Sequence, residues 1–371
     1  MCIVKISELH IFQHDLPVLD GPYTMSYGAV QVLDSTLVKL VTDTGIEGWG
    51  ETCPLGSAYA EAHAAGARSA LIEMAPHLIG VEAFPNNVHY VMDKVLFGHS
   101  YVKSALDIAV HDALGKSLGL RVADLLGGGI TDRVPSYYAI GMETPEEAAR
   151  IAKAKCGEGF RRLQVKVAGR PIEEDVAVIR KVWEVAQNSG ARLVIDANRG
   201  WTTRDAIQVS RACADVPMVI EQPCQSFDDF TKLRPLLCHP LYMDESSLDL
   251  GLISKAAASG VVDGFGLKVS RLGGLQTMAG ARDICKAANL PHTCDDSWGG
   301  DIVAAACTHI AATVQPNLLE GVWLAQPYID GHYDIKNGVK VDTGHINLPS
   351  GPGLGIIPDP ALFGEPVAVF S

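Results

Sequence analysis

Three acidic residues, Asp196 in LVIDAN, Glu221 in MVIEQP and Asp244 in LYMDES, each close a short apolar run that reads as a buried strand. Neighbouring strands lie about 4.8 Å apart, so three carboxylates at adjacent strand ends repel strongly unless a cation sits among them. Oxygen donors with no cysteine or histidine among them suit Mg2+, which keeps positions open for water or substrate. Any one of the three could instead pair with a lysine or arginine or cap a helix. Three in register favour the metal, and Asn198 and Gln222 stand close enough in sequence to help orient the ligands. Lys166, ending LQVK, and Lys268, ending GFGLK, complete the set.

The elements that must position these residues repeat. Eight β-rich runs are separated by helical patterns: 134–139, 163–167, 193–196, 218–221, 241–244, 264–269, 292–295 and 318–323. In the helix between the second and third runs, Val176, Ile179, Trp183 and Ala186 fall on one face. Polar residues at 166, 196, 221, 244, 268, 295 and 323 close successive strands at intervals of 30, 25, 23, 24, 27 and 28 residues. Such alternation predicts parallel strands in a (β/α)8 barrel, whose chemistry sits at the C-terminal ends of the strands. A doubly wound open sheet is the competing arrangement, but no G-x-G-x-x-G turn follows an early strand. In a closed barrel the second and sixth strands are opposite one another. Lys166 and Lys268 are then expected to face each other across the mouth, with the three carboxylates along the arc between them. A metal there could hold a substrate carboxylate and stabilise the charge left by the adjacent proton, and bases on both faces would remove it from one side and return it on the other. The product is the inverted stereoisomer.

The class is thus α/β, with a (β/α)8-type barrel and an N-terminal α+β capping domain. Residues 1–125 are expected to form the cap, from strands such as Thr36–Val41 and a helical stretch ending near Gly119. Residues 126–330 form the barrel, and residues 331–371 a C-terminal segment returning to the cap. Within that segment, 333–341 reads as a hairpin around Asn337-Gly338.

Composition bounds the rest. The chain has 371 residues, 47% of them apolar, enough to bury a large core. A formal charge of −13 and the lack of any basic run exclude nucleic acid as an expected partner. Nine cysteines without a C-x-x-C pair read as reduced thiols in a cytoplasm. Lys5 and Glu8 interrupt any leader-like apolar stretch, and no run is long enough for a membrane span.

Taken together, GIEGWGET at 45–52, SALDIAVHDALGKSLG at 104–119, LLGG at 125–128 and the Lys166, Asp196, Glu221, Asp244-Glu245, Lys268 series resemble the enolase superfamily, in its mandelate racemase and muconate lactonizing branch. The resemblance covers nearly the whole chain. It implies Mg2+ held by Asp196, Glu221 and Asp244, and Lys166 and Lys268 as the acid/base pair. Many relatives carry a Lys-x-Lys on the second strand, where this chain has Gln164. The stretches HTCDDSWGGD at 292–301 and EGVWLAQPYI at 320–329 are similar to those of 4-hydroxyproline betaine 2-epimerases, which also act on proline betaine.

That likeness implies a zwitterionic small-molecule substrate whose quaternary nitrogen rests on an aromatic face amid diffuse negative charge. Trp323 fits the first role unless it is rim packing, and Asp295 or Asp296 fits the second. Trp298 is read as closing the loop after the seventh strand. Tyr59 could add an aromatic wall, or it and Tyr23, Ser26 and Tyr27 could simply anchor capping loops. The expected activity is epimerisation, with dehydration of cis-3-hydroxyproline on the same scaffold as the alternative and a non-catalytic binding barrel as the alternative of a different class. A homo-oligomer in the cytoplasm is expected from the family.

Overall fold

The computed structural model describes residues 4–19, 21–25 and 28–371. Long strands with alternating burial, Ile6–Pro17 and Val32–Thr42, pair antiparallel and build an N-terminal sheet with Glu47–Thr52. The last strand of the chain, Ala368–Phe370, pairs with Ile6–Pro17 on the other edge. Helix Ser100–Leu118 lies against this sheet and is buried on nearly every side. The approach is close because the sheet offers glycine. A Cβ on Gly50 would stand 1.8 Å from the carbonyl oxygen of Ala105, and one on Gly48 would stand 2.1 Å from that of Ala109.

The eight expected barrel strands are present, each parallel to its neighbour in chain order. They are Tyr138–Ile140, Arg162–Lys166, Arg192–Asp196, Met218–Glu221, Leu241–Met243, Gly264–Phe265, His292–Thr293 and Leu319–Gly321. The ring closes through a parallel bridge between Ser136 and Val322, where Val322 N donates to Pro135 O at 2.9 Å and Ser136 Oγ donates to Val322 O at 2.9 Å.

Three local expectations need correction. The first run, 134–139, is two strands. Arg133–Pro135 pairs antiparallel with His345–Asn347, and only Tyr138–Ile140 joins the barrel. Pro135 lacks an N–H to continue a ladder, and the chain changes sheet at this point. The hairpin expected around Asn337-Gly338 is instead a turn: the Asp334 carboxylate accepts from the backbone N–H groups of Lys336, Asn337 and Ile357. The actual hairpin joins Val341–Asp342 to His345–Asn347 through Thr343 and Gly344, both at positive φ. In helix Ile172–Ser189 the buried face centres on Val178, Ile179, Val182 and Ala186, leaving Val176 and Trp183 at its half-buried edge.

No helix among the described residues is long and apolar enough to cross a membrane. The eight described cysteines are free, and Cys2 lies outside the described residues.

Candidate active site

The strand register brings the acidic residues together. Asp196 and Glu221 end the third and fourth barrel strands as direct partners, and Asp244 follows the fifth. All three are buried, and each offers an oxygen within 4.8 Å of the others. Gly266 makes room for them, since a Cβ there would stand 3.0 Å from Asp244 Cβ and 3.1 Å from Glu221 Oε1. Burial and the neighbouring Asp196 push the Glu221 carboxyl well above its ordinary range, with Arg162 opposing. Burial acts the same way on Asp244, but Arg271 and Lys268 outweigh it and hold that group low. Glu245, beside the trio, is raised to about 7 by burial and by Asp244 and Asp196. Three crowded carboxylates with an oxygen-only donor set fit a hard divalent cation.

The lysines stand at the two ends of this arc. Lys166 Nζ donates to Asp196 Oδ2 at 2.6 Å, and Lys268 Nζ donates to Asp244 Oδ2 at 2.5 Å and to Tyr59 OH at 2.7 Å. Gln164 lies two residues before Lys166 on the same strand: its amide donates to Asp196 Oδ2 at 2.9 Å and to Glu221 Oε1 at 3.1 Å. Asn198 donates to both oxygens of Asp196, and Gln222 accepts from the backbone of Asp244 and Ser246.

Opposite the carboxylates stands a group of aromatic rings. Trp323 meets Trp298 edge to face at 5.0 Å and Tyr328 at 5.4 Å, while Tyr23 contacts Trp298 at 5.4 Å and Tyr328 at 5.5 Å. Trp323, Trp298, Tyr59, Asp295 and Asp296 all line the cavity that contains both lysines and the carboxylate trio. Trp298 thus faces the pocket as well as shaping its loop. Tyr59 serves as wall and anchor together: its ring lines the cavity, and its carbonyl accepts from Arg199 at 2.6 Å. Ser26 and Tyr27 lie outside the described residues.

Asp295 and Asp296 are buried, and every oxygen already accepts a protein donor. Asp295 takes Tyr137 OH at 2.8 Å and Trp323 N at 2.7 Å; Asp296 takes Ser270 N and Oγ and Ser297 N. Burial raises both carboxyls despite these bonds.

Several contributors escaped sequence reading. Arg271 donates to Asp244 Oδ1 at 2.5 Å and to Tyr59 OH at 3.0 Å. Its position in KVSRLGG, three residues past Lys268 and one helical turn on, was an available signal. Tyr137 and Arg162 carried none, because their partners lie far along the chain.

A barrel with this trio and two lysines at its C-terminal mouth has the framework of a metal-assisted enzyme. Its family is shown by comparison. The mandelate racemase / muconate lactonizing enzyme N-terminal domain matches residues 7–127, and the enolase C-terminal domain-like family matches residues 146–362. The chain belongs to the mandelate racemase/muconate lactonizing branch of the enolase superfamily, whose members need Mg2+. A cis-3-hydroxy-L-proline dehydratase from Roseibium aggregatum is 39% identical over 371 residues, 99% of this chain and 100% of that one. A hydrophobic dipeptide epimerase from Enterococcus faecalis is 29% identical, over 77% of this chain and 81% of that one. Among solved structures, an enolase superfamily member from Roseovarius nubinhibens ISM complexed with magnesium has a TM-score of 0.94 at 33% identity, covering 99% of this chain and 100% of that one.

Proposed function

We propose that the protein removes the α-proton of a proline-type zwitterionic carboxylate and returns it on the opposite face, epimerising 4-hydroxyproline betaine or proline betaine. Bound at Asp196, Glu221 and Asp244, Mg2+ would take the substrate carboxylate and stabilise the charge that builds as the proton leaves. Lys166 and Lys268 stand at opposite ends of the carboxylate arc. One takes the proton from the α-carbon, and the other, protonated, delivers one to the far side. The observation that carries the betaine reading is the wall across the pocket from the carboxylate trio. It offers the Trp323 indole and two buried carboxylates whose oxygens are already engaged by protein donors. Such a surface suits a quaternary nitrogen, which has no N–H to donate and is held by a π face and diffuse negative charge.

A second reading is favoured by the full-length 39% identity to the dehydratase. There the same lysine takes the α-proton of cis-3-hydroxyproline, the electron pair forms the Cα–Cβ double bond, and the β-hydroxyl leaves as water after gaining a proton. Incubation in D2O followed by NMR separates the two. Deuterium at the α-carbon of both stereoisomers of proline betaine supports epimerisation. An inert betaine, together with loss of the hydroxyl from cis-3-hydroxyproline, overturns it in favour of dehydration. The expected homo-oligomer and cytoplasmic setting belong to this proposal, with no nucleic acid or membrane partner.

A further inference from the structure

We propose that Arg162 is a positioning residue for the metal site, holding Glu221 from inside the barrel in the orientation that Mg2+ requires. Successive inward-facing residues of the second barrel strand, Arg162, Gln164 and Lys166, form a ladder that rises toward the mouth. Lys166 reaches Asp196, and Gln164 bridges Asp196 and Glu221 Oε1. Arg162 Nη2 donates to Glu221 Oε2 at 3.3 Å. Each Glu221 oxygen is therefore tied to a different rung. Among the described residues, the cation paired with Glu221 within 4.0 Å is Arg162.

Arg162 is itself held tightly. Its guanidinium lies 3.8 Å from the centroid of the Tyr137 ring, and its Nε is 3.5 Å from Glu320 Oε2. Glu320 is fixed in turn by Arg192 at 2.8 Å and Tyr242 OH at 3.2 Å. Arg162 Nε and Nη1 are buried without a hydrogen-bond partner among the described residues. Leaving two donors unmet is costly, so the side chain's own satisfaction does not explain its place. What it supplies is the upward contact. Gln164 is a neutral amide, so the positive charge comes to Glu221 from Arg162 beneath it.

A small ion such as Mg2+ demands near-ideal octahedral ligands, whereas Ca2+ accepts flexible, irregular ones. Loosening Glu221 must therefore harm Mg2+ binding more than Ca2+ binding. This inference rests on the metal site alone, so it can fail while the substrate reading stands, and the reverse.

The test is calorimetric titration of the metal-free full-length protein with MgCl2 and, separately, CaCl2, in wild type and in Arg162→Met, Arg162→Lys and Glu320→Gln. Circular dichroism checks the fold of each. Loss of an outer-shell partner weakens metal binding by about 10- to 100-fold. We expect Mg2+ affinity to fall by about tenfold in Arg162→Met, with a smaller fall for Ca2+, so that the preference for Mg2+ declines. Arg162→Lys keeps the charge but loses the planar fork, and Glu320→Gln loosens Arg162 from below; both should move the preference the same way by less. If both ions bind more tightly and equally, Arg162 acts only as a repelling charge and the proposal is overturned. Should Arg162→Met not fold, an unchanged Mg2+-to-Ca2+ ratio in the other two variants overturns it as well.

Discussion

On the carboxylate side of the pocket the charged groups come from barrel strands or the residues just past them, and each carboxylate has its own cation: Lys166 for Asp196, Arg162 for Glu221, Lys268 and Arg271 for Asp244. On the aromatic side Tyr23, Trp298, Trp323 and Tyr328 come from the two-stranded ribbon of Tyr23–Met25 and Gly28–Val30, the loop after the seventh strand and the segment after the eighth. The first half is fixed by hydrogen-bond register, which tolerates no slip. The second is fixed by side-chain packing of loops, which tolerates exchange of one ring for another. On the proposed function, chemistry belongs to the rigid half and substrate choice to the adaptable one.

That contrast can be broken most sharply at the ligands. Asp196→Asn, Glu221→Gln and Asp244→Asn should each lower kcat/KM by about a thousandfold or more, since Lewis-acid stabilisation is worth several kcal/mol. Exhaustive chelation should do the same, with circular dichroism confirming the fold. Full turnover after chelation would remove the metal from the reaction.

Next in size are the lysines. In D2O, Lys166→Ala and Lys268→Ala should each stop interconversion of stereoisomers, while either may still exchange the α-proton of the one stereoisomer that faces its remaining lysine. Interconversion at the normal rate in either variant rejects the two-base assignment.

Tyr137 joins the two halves, since its ring packs on Arg162 and its hydroxyl holds Asp295, which in turn holds the Trp323 backbone. Tyr137→Phe removes one hydrogen bond to a charged group, about 1.5 to 3 kcal/mol if fully expressed, so kcat/KM should fall by about tenfold or more. An unchanged value would mean that the aromatic wall stands without this support.

The smallest effects belong to the aromatic side. Trp323→Ala should lower kcat/KM for a betaine by several fold, because a cation–π contact is worth about 0.5 to 2 kcal/mol, and Trp323→Phe should lose less. Unmethylated proline should be affected less than its N,N-dimethyl form. A methylated-to-unmethylated ratio that stays constant on removing the indole would argue against a quaternary nitrogen on this wall.

Asp196, Glu221, Asp244, Lys166 and Lys268 were legible in the sequence, together with the barrel that aligns them. Each is a polar residue closing an apolar run, a signal contained within about five residues, and the repeat of about 26 residues places those strand ends on one rim. Tertiary structure decided what lies more than a hundred residues away in the chain. Tyr137 meets Asp295, Arg162 meets Glu320, and Trp298 meets Tyr23, each across a separation that no local pattern encodes. It also decided contests between local signals. Asn337-Gly338 reads as a hairpin, yet the Asp334 side chain captures the nearby backbone donors and the hairpin forms at Thr343-Gly344 instead. Periodicity records which face of an element is buried, whereas the partner of a buried polar group is chosen only when distant segments pack and one of them brings the matching donor or acceptor.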